Sequence, residues 1–130
     1  MSKILLVEDE DLNRTLVKAV LARADIAAVR HAEIVDAGSL ATAREKLAGE
    51  PVDLVLLDMN LPDGNGLTLA RELAGGTVTP AGPRPVVVAV TASVLPQDRA
   101  AAIEAGCDGF LDKPYAAADL VAVVAQHLPR

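Results

Sequence analysis

Aromatic side chains are nearly missing from this chain of 130 residues, which has one phenylalanine, one tyrosine and no tryptophan. A core organised around packed rings is therefore excluded, and Val, Leu, Ile and Ala must fill the interior of a chain that is 52% hydrophobic. Cysteine occurs once, as Cys107. That excludes an intramolecular disulfide and a cysteine-rich zinc site, and it fits a reducing compartment. Cys107 reads as a small apolar packing residue. An excess of basic residues is also missing: 12 Lys and Arg stand against 18 Asp and Glu, a net charge of -6. A self-sufficient nucleic-acid binder needs a basic footprint, so no nucleic-acid partner is expected. No apolar run is long enough for a signal peptide or a membrane span. The expected location is cytoplasmic, with no membrane partner. Repeats, low-complexity stretches and long linkers are lacking too, so residues 1–130 are expected to form one domain. The Gly/Pro-rich segment 75–85 is too short to divide domains and reads as a helix-to-strand connection.

What is present is an alternation of short apolar runs with segments of helical period. Strands are predicted at about 3–7, 32–35, 54–57, 85–90 and 109–111. Helices are predicted from about 11, with Leu12, Leu16, Ala19 and Val20 inward and an end that the sequence does not mark. Further helices are predicted from a Ser39 N-cap to Gly49, over 66–73, from Pro96 to Gly106, and after Pro114 with Leu120, Val121, Val124 and Leu128 inward. Five strands alternating with five helices imply a doubly wound α/β fold, a parallel sheet covered on both faces. Ligands of such sheets bind beyond the carboxyl ends of the strands, so those ends are where chemistry is expected.

Strand 3 ends in Asp58, followed by the turn-rich Met59-Asn60-Leu61-Pro62-Asp63-Gly64-Asn65-Gly66. A carboxylate there suits a nucleophile or a metal ligand; it also suits a cap on the turn, and this segment alone leaves both readings open. Strand 1 ends in Glu8-Asp9-Glu10, strand 4 in Thr91-Ala92, and strand 5 in Asp112-Lys113-Pro114. Glu10 and Asp11 are assigned to the N-terminus of the first helix. If strands 1 and 3 are neighbours, Glu8, Asp9 and Asp58 converge, and their mutual repulsion is relieved by a divalent cation. An all-oxygen set favours Mg2+ or Mn2+ over zinc. Lys113 can pair with a phosphoryl oxygen and Thr91 can donate a hydrogen bond to another. An ionised aspartate can attack phosphorus to give an acyl phosphate without a general base.

Four segments carry a resemblance across the chain: Ile4-Leu5-Leu6-Val7-Glu8-Asp9-Glu10, Val55-Leu56-Leu57-Asp58 with the loop to Gly66, Val88-Ala89-Val90-Thr91-Ala92, and Ala105-Gly106-Cys107-Asp108-Gly109-Phe110-Leu111-Asp112-Lys113-Pro114-Tyr115. In that order they resemble the receiver domains of two-component response regulators, the CheY-like superfamily. The resemblance implies a flavodoxin-like three-layer sandwich with strand order 2-1-3-4-5. It implies that Asp58 is the phosphoacceptor, taking a phosphoryl group from a sensor histidine kinase or a histidine phosphotransfer protein. Asp9 corresponds to the principal acidic metal ligand, Glu8 to a companion acid acting through water, and Asn60 to a ligand through its backbone carbonyl. Thr91 and Lys113 correspond to the switch hydroxyl and the phosphate-pairing lysine. Ala92 leaves space for the phosphoryl group, Phe110 is the switch aromatic, and the Lys113–Pro114 bond is expected to be cis.

The resulting expectation is a signalling switch rather than an enzyme. Phosphorylation would reshape the face of helix 4, strand 5 and helix 5 toward an unnamed downstream protein, as a monomer or a phosphorylation-dependent dimer. Because the sequence stops at Leu128-Pro129-Arg130, no output domain is expected. The acidic run Glu8–Arg14 with Val90-Thr91-Ala92 looks more like stand-alone and hybrid-kinase receivers than those of transcription factors. Phe110 stands where many relatives carry tyrosine, so output contacts that need the hydroxyl are not expected. Two other classes compete. An aspartyl-phosphate hydrolase on a Rossmann-like sheet would carry its nucleophile on strand 1. A pseudo-receiver would bind partners without phosphorylation and lack the acceptor set. His31 and His127 lie away from the strand ends and are not read as phosphotransfer histidines.

Overall fold

A computed structural model describes residues 2–92 and 95–128, so the Pro129 and Arg130 on which the expected chain end rests lie outside the described residues. Five strands form one parallel sheet: β1 (Lys3–Val7), β2 (Glu33–Ala37), β3 (Leu54–Asp58), β4 (Val86–Thr91) and β5 (Gly109–Asp112). Their order is β2-β1-β3-β4-β5, the doubly wound arrangement of flavodoxin-like folds. The helices are α1 (Asp11–Ala22), α2 (Leu40–Gly49), α3 (Leu67–Gly75), α4 (Pro96–Glu104) and α5 (Ala117–His127).

The central strands are buried over residues 4–7 and over Leu54–Asp58 because both faces are covered. Successive side chains alternate between the two layers. Leu5, Val7, Val55 and Leu57 pack under α2, α3 and α4, with Leu40, Leu47, Leu69 and Leu73. Ile4, Leu6, Leu54 and Leu56 pack under α1 and α5, with Val17, Leu21, Leu120 and Val124. The register sets the strand ends level with one another. Val7 lies opposite Ala37 and Leu57, Asp58 opposite Val90, and Thr91 opposite Asp112.

Several expectations need correction. A sixth helical segment, one turn over Ala27–Arg30, fills the stretch where the end of the first helix was unmarked. It brings Val29 into the core, and Arg30 Nη1 closes the turn by donating to the Ala24 carbonyl at 2.8 Å. Of the predicted inward residues of α1, Val20 is half-buried against the core, but Leu12, Leu16 and Ala19 are exposed. Val17 and Leu21 are buried, whereas Leu12 is 68% and Leu16 53% exposed. The cause is polar. Asn13 and Arg14 grip Glu8 at the end of β1, which fixes the rotation of the helix and turns the row 13, 17, 21 onto the sheet. Strand β2 begins at Glu33 and runs two residues past its predicted end, because Ala37 still pairs with Val7 and accepts from the Glu8 amide at 3.0 Å. In α5, Val123 is buried and Val121 only half-buried.

Candidate functional site

Glu8 and Asp58 are the buried charged residues of the described chain, each 5% exposed. Both stand at the carboxyl end of adjacent strands, where the parallel ladder stops and the chain turns away. Glu8 is held twice by α1: Asn13 Nδ2 donates to its Oε1 at 3.0 Å, and Arg14 Nη1 to its carbonyl at 2.7 Å. Arg14 also pairs with Asp11 one turn back. Asp9 is exposed. One carboxylate oxygen from each of Glu8, Asp9 and Asp58 lies within 4.8 Å of the others.

Lys113 enters from the end of β5. Its Nζ is 3.2 Å from Asp58 Oδ1 and 4.0 Å from Glu8 Oε2. Its amide donates to the Thr91 carbonyl at 2.8 Å, which locks the ends of β4 and β5 together. The Asn60 amide also donates to Asp58 Oδ1, at 3.3 Å. Glu8 is pushed above the ordinary glutamate range chiefly by burial, then by Asp58 beside it, with Asn13 and Lys113 opposing. Three carboxylates facing one lysine leave negative charge uncompensated. A hard cation with oxygen ligands fits that donor set, and soft metals do not.

The loop after Asp58 is a short hairpin, Asn60–Leu61 against Gly64–Asn65. Gly66 closes it by donating to the Met59 carbonyl at 2.9 Å. A Cβ on Gly66 would lie 2.2 Å from the Asp58 carbonyl oxygen, so glycine is required there by close approach. Beneath Glu8 and Asp58 a recess of about 20 Å³ also touches Asn13, Lys113 and Tyr115. Burial pushes the Tyr115 hydroxyl upward.

The sequence-predicted residues fall into two groups. Glu8, Asp9, Asp58 and Lys113 meet directly. Asn60, Thr91, Ala92 and Phe110 line an adjoining cleft of about 440 Å³ on the α4 side, and the backbones of Asn60 and Thr91 are hydrogen-bonded to Asp58 and Lys113. Phe110 is half-buried there, and the Arg99 guanidinium lies over its ring, 5.2 Å from the centroid. Arg99 Nη2 is 2.6 Å from both Asp112 carboxylate oxygens. The Lys113–Pro114 peptide is cis. His127 is elsewhere: its Nδ1 is 2.9 Å from the Val123 carbonyl and its ring packs on Gly109. Cys107 is buried, and burial pushes its thiol up to about 11, so it packs rather than reacts.

Sequence reasoning missed Asn13 and Arg14 as the residues that hold Glu8, and Arg99 and Asp112 as the cover of Phe110. It also missed Asp63, read only as a turn former. Asp63 accepts from the amides of Leu40 and Ala41, at 2.8 and 3.0 Å. These partners lie 23 and 22 positions back, and no local pattern announces them. Asn13 did carry a signal, because a helix opening just after a strand-end acid places position 13 beside position 8.

Comparison with known proteins gives a consistent result. The family model of the response regulator receiver domain matches residues 4–125. The two-component response regulator ORR41 of Oryza sativa subsp. japonica is 38% identical over 130 residues, covering 97% of this chain and 94% of that protein. The KDP operon transcriptional regulatory protein of Escherichia coli (strain K12) is 34% identical, covering 94% of this chain but 49% of its own length. Among solved structures, the receiver domain of a Pseudomonas aeruginosa PAO1 sensor histidine kinase is similar at a TM-score of 0.78 and 27% identity. It covers 97% of this chain and 96% of its own, and was solved with magnesium coordinated in its active-site cleft. Receivers of transcriptional regulators and of sensor kinases both match, so the similarity does not favour either subtype. No helix of the described residues is long and apolar enough to cross a membrane.

Proposed function

The chain belongs to the response regulator receiver domains of two-component signalling, and from that premise we propose that Asp58 accepts a phosphoryl group from a histidine of a sensor kinase or phosphotransfer protein. The observation that carries this reading is the convergence of the Glu8, Asp9 and Asp58 carboxylates within 4.8 Å, with Lys113 3.2 Å from Asp58. Asp58 Oδ1 takes both the Lys113 ammonium and the Asn60 amide, so Oδ2 is the attacking atom. Its bond to phosphorus forms as the phosphorus–nitrogen bond to the donor imidazole breaks. The electron pair returns to the imidazole, which takes a proton from solvent. Asp9, Asp58 and the Asn60 carbonyl would hold Mg2+, with Glu8 behind them, and the ion supplies charge neutralisation at the phosphoryl oxygens.

Lys113 is already aimed at Asp58 and pairs with a phosphoryl oxygen once the acyl phosphate forms. Thr91, at the end of the neighbouring strand, donates to another. Its inward shift makes room for Phe110 to turn into the adjoining cleft, and the α4–β5–α5 face changes shape. Ala92 keeps the approach to Asp58 open. The donor protein would cover the exposed Leu12 and Leu16 of α1 beside the same strand ends. The proposed role is that of a cytoplasmic switch, without turnover of external phosphate esters.

The test is intact mass after incubation with Mg2+ and acetyl phosphate. One added phosphoryl group is expected, labile to base and absent from Asp58→Asn. Labelling of that variant to the wild-type level would sink the assignment, and multiple turnover of phosphate esters would point to a hydrolase instead.

A further inference from the structure

The amino end of α2 has two caps from distant parts of the chain. Ser39 is the local one: its Oγ accepts from the Thr42 amide at 3.2 Å, and its carbonyl accepts from the Ala43 amide at 3.0 Å. The remaining first-turn amides, those of Leu40 and Ala41, both donate to the Asp63 carboxylate, one to each oxygen. The amides of Leu40, Ala41 and Thr42, which the helix start leaves without an intrahelical carbonyl, are therefore all satisfied. Ala41 is exposed, so water could serve its amide. Ser39 caps the helix locally, so what the remote carboxylate adds is a tie between the helix and the loop.

The loop in question has little to hold it. Its hairpin consists of two residue pairs, Asn60 with Asn65 and Leu61 with Gly64, too few to be stable alone. Its tip touches α2 at two successive residues. Asp63 makes the paired hydrogen bonds, and Gly64, at φ +148°, lies so close that a Cβ there would be 3.0 Å from Leu40 Cδ1. Leu40 is itself buried at 2% exposure, so the helix end is a fixed support. From Asp63 the chain runs back three residues to Asn60, whose amide meets Asp58 Oδ1.

We propose that Asp63 is a positioning residue of the phosphoryl site: its carboxylate, clamped across the first two amides of α2, fixes the hairpin that presents the Asn60 carbonyl beside Asp58. This rests on the Mg2+-dependent acceptor reading of the same site. Asp63 touches neither Asp58 nor the metal; it acts through the backbone of residues 60–63. The clamp needs two acceptor atoms facing two successive amides; a carboxylate supplies both and a carboxamide only one.

The test is Mg2+ affinity by titration calorimetry on the full chain, with acetyl phosphate labelling as a separate arm. Asp63→Ala should weaken Mg2+ binding about 10-fold, the loss typical when a residue orienting a metal ligand is removed. Asp63→Asn should fall between that variant and the wild type. Ser39→Ala is the control, because it strips a cap from the same helix end without freeing the hairpin. It should leave Mg2+ affinity near the wild-type value although the protein melts lower. Wild-type Mg2+ affinity in Asp63→Ala overturns the proposal. So does an equal loss in Ser39→Ala, since the effect would then be helix stability alone. If Asp63→Ala does not fold, wild-type affinity in Asp63→Asn overturns it. A wild-type chain that neither binds Mg2+ nor labels on Asp58 refutes the acceptor reading instead, so the two failures are separable.

Discussion

Glu8 is ionisable, buried and next to a second buried acid, and such an arrangement burdens the metal-free fold. Its folded-state pKa is raised, so the native protein holds a proton that the unfolded chain has already released. Stability therefore falls as pH rises from the ordinary glutamate value of 4.5 through the raised one. Glu8→Gln removes that dependence while leaving an oxygen for Asn13 to donate to. In the presence of a chelator the variant should melt a few degrees above the wild type at neutral pH, and the gap should close below the ordinary glutamate range. Thermal melts across pH check this; an unchanged gap at low pH would mean that packing, not charge, is responsible. The residues of this site were legible to unequal degrees. Asp58, Asp9 and Lys113 stand out because strand ends in a parallel sheet are the place to look. Asn13, Arg14 and Asp63 act by holding those residues, through contacts set by helix rotation and loop folding, and such contacts leave no mark on local composition.

At the scale of elements, helix α1 separates what hydrophobic periodicity can tell from what it cannot. Its sequence has apolar residues on more than one face, so an amphipathic stripe can be drawn through Leu12 and Leu16 or through Val17 and Leu21. Only the tertiary contacts of Asn13 and Arg14 with Glu8 choose between them. The choice has a measurable consequence. Leu21→Ala, in a fully buried position, should cost about 2–4 kcal/mol of unfolding free energy. Leu16→Ala, at a half-exposed position, should cost about 0.5 kcal/mol or less. Chemical denaturation of both variants decides the phase, and equal losses would restore the stripe read from the sequence. Strand positions were far easier to read than helix faces. The runs 4–7, 54–57 and 86–90 are apolar throughout because both sheet faces are covered, so no choice of face arises. The one-turn helix over Ala27–Arg30 was hidden because a segment of four residues has no period to detect.

For the whole molecule, the site is where the two layers meet. Glu8 is gripped from α1 on one face, the hairpin is moored to α2 on the other, and Lys113 reaches in from the last strand. A cation drawing Glu8, Asp9, Asp58 and the Asn60 carbonyl together would therefore tie strands β1 and β3 and their flanking helices at once. The unfolded chain cannot assemble that set, so binding stabilises only the folded state. At a Mg2+ concentration about 100 times the dissociation constant, the gain is about 2.7 kcal/mol. For a domain of this size that corresponds to a melting-temperature rise of about 10 °C. The shift should grow with the logarithm of Mg2+ concentration and disappear with a chelator. Asp9→Asn should lose most of it: Asp9 is exposed, so its substitution leaves the core intact while removing a proposed ligand. Differential scanning calorimetry over a Mg2+ series measures both. A shift of wild-type size in Asp9→Asn would place the cation elsewhere on the molecule, because the other acids of the cluster cannot then be acting with Asp9.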